Sequence, residues 1–284
     1  MNVAVKVQPS YRHFDLQPFS PTIGAELIGF DIANHTSDEA IAEVRRALLD
    51  WKVVFFRDQD ITRAQHIAFA RRFGDLEIHP ATPADQEDPE VLRIAHGANS
   101  KGSENNWHSD VTWRAEPSLG SILRAIEIPD VGGDTLFADM YAAYDALEPA
   151  FKSFVEGLVA EHDIARVFVR RLNKDADALH AKFPVQQHPV IRTHPETGRN
   201  GIYVNTGFTE RVLGLSKKQS DWVLNELYDQ AKLPEFQCRF RWKPGSLAFW
   251  DNRACQHYAA SDYFPLVRVM ERVTIKGDRP FFRR

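Results

Sequence analysis

The chain has 284 residues, 26% of them charged and 43% apolar, with a net charge of -4 at pH 7 and a pI near 6.3. These are ordinary globular proportions, and the negative balance argues against a protein that grips a phosphate backbone, so no nucleic-acid partner is expected. Only Cys238 and Cys255 are present, too few for a disulfide framework or a thiolate metal site, so any metal must be held by histidine and carboxylate.

The opening stretch MNVAVKVQPSYRHFDLQPF lacks the continuous apolar core of a signal peptide, and no uncharged run approaches the roughly 18 residues of a membrane span. A cytoplasmic protein without a membrane partner is the expectation. No repeat or low-complexity linker interrupts the chain, which predicts one domain over residues 1–284. Thr36 with Glu39 has the pattern of a capping box ahead of Ile41, Val44, Leu48 and Trp51, which recur at helical spacing; Thr62 with Gln65 repeats the pattern before a segment ending at Gly74. Between these two helices KVVFFR reads as a buried strand, and further strands are expected over 91–95, 121–128 and 135–138.

The stretch NWHSDVTW, residues 106–113, reads as a strand in which His108, Asp110 and Thr112 share one face while Trp107, Val111 and Trp113 take the other. Its bland reading is a polar edge strand, since a chain with eleven histidines is expected to contain on the order of one H-x-D triplet by chance. A helix is expected over 141–158, a hairpin in PVIRTHPETGRNGIYVN, and a helix capped by Ser216 and Gln219 that runs to about Lys232. In FQCRFRWK, Phe236, Cys238, Phe240 and Trp242 alternate with polar residues, an amphipathic strand. Strands in SLAFWDN, HYA and 267–275 follow. Many short strands and few helices suggest an antiparallel barrel or sandwich with helices packed outside.

In the last strand Arg268, Met270, Arg272 and Thr274 share a face, and Val267, Val269, Glu271, Val273 and Ile275 form the other. Periodicity leaves two readings of the arginine face open: the wet side of a sheet, or two guanidiniums turned into a barrel mouth where each could clamp an anion. His257, in WDNRACQHYA, joins His108 and Asp110 to complete a set of two histidines and one carboxylate, the facial triad that leaves open positions on non-haem Fe(II).

The chain resembles the taurine dioxygenase group of Fe(II)/2-oxoglutarate-dependent oxygenases, which also contains aryloxyalkanoate and alkyl-sulfate dioxygenases. The resemblance runs from IGAELIGFD and VVFFRDQ through NWHSDVTW, GGDTLFADMYAAYDAL, HPVIRTHPETG and YVNTGFTERV to WDNRACQHYA and GDRPFFRR. It implies a mainly β fold with flanking helices, a double-stranded β-helix (jelly-roll) barrel, with Fe(II), 2-oxoglutarate and O2 as cofactor and co-substrates. It implies His108, Asp110 and His257 as iron ligands, and Thr135 with Arg268 on the distal carboxylate of 2-oxoglutarate. Arg272 would hold the anionic group of the substrate with His79 assisting, and Phe168, Phe208 and Trp250 would line the pocket. Thr82 and Glu104 stand where taurine dioxygenase has a tyrosine and an asparagine near its substrate. The implied substrate is a small organic anion, first taurine or a related alkylsulfonate that would release sulfite and an aldehyde. The alternatives are the same chemistry on an aryloxyalkanoate, alkyl sulfate ester or other carboxylate, or a non-catalytic barrel that binds an anion. A homodimer or homotetramer is implied. His96, His162, His188, His194 and Cys255 are expected to be structural.

Overall fold

Two β layers frame the molecule in a computed structural model that describes residues 10–80, 82, 86–172 and 175–284. The first elements in chain order are β1 (Asp15–Pro18), β2 (Ala25–Ile28), α1 (Asp38–Trp51), β3 (Val53–Phe56), α2 (Arg63–Arg71), β4 (Val91–His96), β5 (Gly120–Glu127) and β6 (Thr135–Asp139). Then come α3 (Met140–Asp145), α4 (Pro149–Val155), β7 (Val159–His162), α5 (Ala165–Leu172), α6 (Ala176–Lys182), β8 (Gln186–Pro189), β9 (Ile191–Thr193) and β10 (Asn200–Ile202). The last are β11 (Thr209–Val212), α7 (Lys217–Gln230), β12 (Gln237–Phe240), β13 (Leu247–Asp251), β14 (Cys255–Ala259) and β15 (Arg268–Ile275).

Seven strands form the larger sheet in the order β1-β2-β3-β13-β5-β15-β4, and β12-β6-β14 form a three-stranded sheet. Side chains of the two sheets meet in one core: Phe55, Ala248, Trp250 and Met270 from the larger pack with Phe137, Phe240 and Cys255 from the smaller. The opposite face of the larger sheet carries Val54, Phe56, Phe249, Val273 and Ile275, and α1 and α2 cover it with Val44, Leu48, Ile67 and Phe69. Strand β3 thus buries both faces, which is why VVFF is apolar without interruption.

The protein is mainly β with seven flanking helices among its described residues. Of the expected mainly β jelly-roll barrel with flanking helices, the hydrogen bonding among the described residues forms the mainly β part as facing sheets and closes no barrel. Among the described residues the two sheets end in separate edges, β1 and β4 on one and β12 and β14 on the other, and face each other across the shared core. No helix among the described residues is long and apolar enough to cross a membrane.

Three local expectations need correction. NWHSDVTW is not a strand: after one bridge between His108 and His257 the chain turns, with Val111 at φ 49° and Arg114 N–H donating to Val111 O at 2.9 Å. The segment 141–158 is two helices, because Pro149 has no N–H to continue the ladder and instead opens α4 at its first turn. Helix α1 is capped one residue later than expected, by Ser37, whose hydroxyl accepts from Ala40 N–H. The boxes at Thr62–Gln65 and Ser216–Gln219 are both formed.

Candidate metal centre

His108 and His257 are held opposite each other by reciprocal backbone hydrogen bonds, His108 N–H to His257 O at 3.1 Å and His257 N–H to His108 O at 2.8 Å. Such a pair puts both side chains on one face, and the ring centroids lie 4.2 Å apart. The turn that follows swings Asp110 in beside them. One ligand atom from each of the three lies within 4.8 Å of the others, and His257 Nε2 is 4.0 Å from Asp110 Oδ1.

The protonation states suit a cation. His108 Nδ1 donates to Asn106 O at 2.8 Å, the tautomer that leaves the Nε2 lone pair bare. Burial lowers the pKa of His108 and pushes that of His257 down to about 3, with its neighbour His108 adding to the effect, so both rings are neutral. Burial acts to raise Asp110, but the Arg272 guanidinium, the two imidazoles and the Ser121 hydroxyl outweigh it and hold the carboxyl well below its usual range. Two neutral imidazoles and one ionised carboxylate, clustered on one side, fit a divalent metal that keeps open positions, the donor set of non-haem Fe(II) oxygenases.

Strand β15 settles which way its arginines face. Met270 lies in the core between the sheets, so Arg268 and Arg272, two residues to either side, point into the same interior. Glu271, on the other face, pairs with Arg63. Arg272 Nη1 donates to Asp110 Oδ1 at 2.6 Å, with the two side chains 11% and 5% exposed. Arg268 gives its Nε–H to Gly133 O at 3.1 Å, while its buried Nη2 has no hydrogen-bond partner. A cavity of about 50 Å³ lies between Arg268, Thr135, Trp250 and His257. Thr135 Oγ1 accepts from Trp242 Nε1 at 2.9 Å, which leaves its own proton to give. An unpartnered guanidinium N–H and a hydroxyl at the end of a small cavity beside the triad suit a carboxylate.

A second cavity, of about 370 Å³, shares His108 and Arg272 with the first and is also lined by Asp110. Its walls include Leu92, Ile94, Val111, Phe168 and Phe208, together with the polar groups His79, His96, Lys101 and Glu104. The His79 ring sits 5.8 Å from that of Phe168. Thr82 is not among the described residues that line it; its N–H donates to His79 O at 2.9 Å, which makes it a turn residue behind that histidine. Glu104 faces both cavities, with Oε2 3.2 Å from His96 Nε2.

His96, expected to be structural, pairs with Glu104 and Ser100 and also lines the larger cavity. His188 and His194 have structural partners, Arg114 O at 2.8 Å and Asp251 Oδ2 at 3.1 Å. His162 holds Thr112, two residues after Asp110, at 3.0 Å. Cys255 is buried, its thiol pushed well up by burial. Sequence reading also missed Ser121, which donates to Asp110 Oδ2 at 2.8 Å, and Asn252, which accepts the Asp110 N–H at 3.1 Å. Asn252 follows Trp250 by two residues in WDN, five before His257, and that spacing was the available signal.

The sequence profile of the family described as "Taurine catabolism dioxygenase TauD, TfdA family" matches residues 15–274. The chain is 33% identical to the alkylsulfatase of Acinetobacter baylyi, over 96% of this chain and 88% of that protein. It is 34% identical to the (S)-phenoxypropionate/alpha-ketoglutarate-dioxygenase of Sphingobium herbicidovorans, over 93% of this chain and 96% of that one. Among solved structures it is similar to a taurine dioxygenase from Burkholderia xenovorans, with a TM-score of 0.82, 37% identity, and coverage of 95% of this chain and 91% of the other.

Proposed function

Because the chain belongs to the TauD/TfdA family of Fe(II)- and 2-oxoglutarate-dependent dioxygenases, we propose that His108, Asp110 and His257 hold its iron, that Thr135 and Arg268 receive the distal carboxylate of 2-oxoglutarate, and that Arg272 anchors the anionic group of a small organic substrate. When bound, Fe(II) with the keto acid and O2 supplies the oxidising chemistry, giving succinate, CO2 and a hydroxylated product. The residues of the chain bind, orient and keep water out. The Arg272 guanidinium is bonded to Asp110 and both line the larger cavity, so an anion placed on Arg272 holds its neighbouring C–H close to the triad. Where that carbon bears a sulfonate or sulfate, hydroxylation sets up collapse: the new O–H loses its proton, C=O forms, and the bond to the leaving group breaks to release sulfite or sulfate.

The observation that carries this reading is the placement of Arg272 against Asp110 in the lining of a cavity whose walls mix apolar and polar side chains. Taurine or a related alkylsulfonate, with His79 assisting Arg272, Phe168 and Phe208 shaping the larger cavity and Trp250 lining the small cavity beside the triad, is the first reading. A second is favoured by the volume of about 370 Å³ and by Leu92, Ile94, Val111, Phe168 and Phe208 around it. An alkyl sulfate ester or aryloxyalkanoate would bury its apolar body there, at about 0.8 kcal/mol per methylene, roughly fourfold in KM for each. A panel of taurine, ethanesulfonate, hexyl sulfate and phenoxyacetate, scored by succinate formed, separates the two; succinate from none of them would remove the anionic-substrate reading.

The proposal extends to one catalytic domain over residues 1–284 with a jelly-roll architecture, supported by the 0.82 TM-score over 95% of the chain. It further takes the protein to be a cytoplasmic homodimer or homotetramer, in keeping with two free buried cysteines and with the exposed row Phe264, Leu266 and Val267 that a second copy could cover. Light scattering on the purified protein tests the assembly.

A further inference from the structure

One buried amide side chain ties the turn that carries Asp110 to the turn that leads into the strand of His257. Asn252 is 2% exposed and lies between β13 and β14, in the turn that leads to His257. Its Oδ1 accepts from the backbone N–H of Asp110 at 3.1 Å and from Trp250 Nε1 at 3.0 Å. Both partners can only donate, which fixes which end of the amide is oxygen. Its Nδ2 donates to Ser118 Oγ at 2.9 Å and to Ser121 Oγ at 3.5 Å. All four hydrogen-bonding positions of the side chain are therefore in use.

Ser121 passes the constraint on. Its single hydroxyl proton goes to Asp110 Oδ2 at 2.8 Å, so Thr274 Oγ1, at 3.4 Å, is the donor in their contact. Oδ2 is thereby committed to the protein. Oδ1 is the oxygen turned toward His257 Nε2, 4.0 Å away, and toward Arg272. We infer that Asn252 is a positioning residue: by fixing the Asp110 backbone directly and its carboxylate through Ser121, it makes Asp110 offer the metal one oxygen, in one direction. A carboxylate held by one arm leaves more of the coordination sphere for 2-oxoglutarate and O2 than one free to bind through both.

The inference rests on the metal assignment proposed above, and Mn(II) binding to the unmodified protein tests that assignment at the same time. Mn(II) alone is titrated into wild type, Asn252→Ala, Ser121→Ala and the double variant, with free Mn(II) read by electron paramagnetic resonance and metal-free melting recorded for each. Loss of an outer-shell partner typically weakens metal binding ten- to a hundredfold, so Asn252→Ala should raise the Mn(II) Kd by that range and Ser121→Ala by about tenfold. Because both act on one carboxylate, the double variant should bind about as weakly as Asn252→Ala, well short of the product of the two losses. The anaerobic charge-transfer band of the Fe(II) and 2-oxoglutarate complex should also shift or weaken in Ser121→Ala, an effect that mere packing around Asn252 would not produce. If Asn252→Ala fails to fold, Ser121→Ala alone decides. Kd values within twofold of wild type and an unmoved band overturn the inference, and a wild type that binds no Mn(II) overturns both it and the metal assignment.

Discussion

Replacing Arg272 by methionine keeps most of its stem and removes its charge. In the metal-free protein this leaves the Asp110 carboxylate, 5% exposed, without the guanidinium 2.6 Å away that does most to keep it ionised against burial. Breaking a buried pair by removing one partner costs about 3–5 kcal/mol. At roughly 2.1 cal/mol/K of unfolding entropy per residue, about 0.6 kcal/mol/K for the chain, the melting temperature should fall by about 5–8 °C. A divalent cation on the triad supplies the missing positive charge, so the same substitution should cost only about 2 °C once Mn(II) saturates the site. Scanning calorimetry of wild type and Arg272→Met, in a chelator and in excess Mn(II), gives both differences. Equal drops with and without metal, or no drop in the chelator, would refute the claim that Arg272 and the metal neutralise the same carboxylate.

His108→Ala, Asp110→Ala and His257→Ala should each abolish turnover together with Fe(II) binding; near-normal Fe(II) affinity in Asp110→Ala would show that another group carries the charge. Arg268→Ala should raise the KM for 2-oxoglutarate roughly ten- to a hundredfold, the loss of about 1.5–3 kcal/mol expected for a charge-assisted bond in a shielded site, and an unchanged KM would put the acid elsewhere. Glu104, at the wall of both cavities, should favour a substrate bearing a cation away from its anionic end, so Glu104→Gln should narrow the kcat/KM preference for taurine over ethanesulfonate by an order of 1 kcal/mol; an equal ratio in the two proteins removes that role. Burial lowers His66 and His188 to about 4, below their unfolded values. The unfolded chain therefore binds the extra protons between about pH 6.5 and 4, and stability should fall as pH drops through that window, by up to about 1.4 kcal/mol per pH unit for each histidine. Urea midpoints of the metal-free protein at pH 7 and 5 test this, and a midpoint that holds or rises at pH 5 contradicts it.

The parts of the fold that a period of two or a cap can encode were legible. The alternation in β15 separated Arg268 and Arg272 from Val273 and Ile275, and the Thr62 and Ser216 boxes marked two helix starts. Periodicity left the direction of the arginine face open, since that depends on which sheet Met270 meets. The break at Pro149 is readable from the residue itself, which has no N–H to continue a helix through 141–158. NWHSDVTW carries strand-forming residues, yet its conformation is set by the bridge to His257, 149 positions away, and by the turn at Val111. His108 and Asp110 converge because of that turn, whereas Thr112, expected on their face, bonds instead to His162 and Asn205. The groups that orient Asp110 were hidden for the same reason: Ser121 and Asn252 are 11 and 142 residues from it, and only the packing of β5 against β13 brings them to one point.

Iron and 2-oxoglutarate should share one site built on His108, Asp110 and His257. Anaerobic visible spectra of the protein with Fe(II) alone, with 2-oxoglutarate alone and with both test it most directly. A charge-transfer band should appear only when both are present and should vanish in His257→Ala. A wild type that binds both without developing the band, or a band undiminished in His257→Ala, would contradict it.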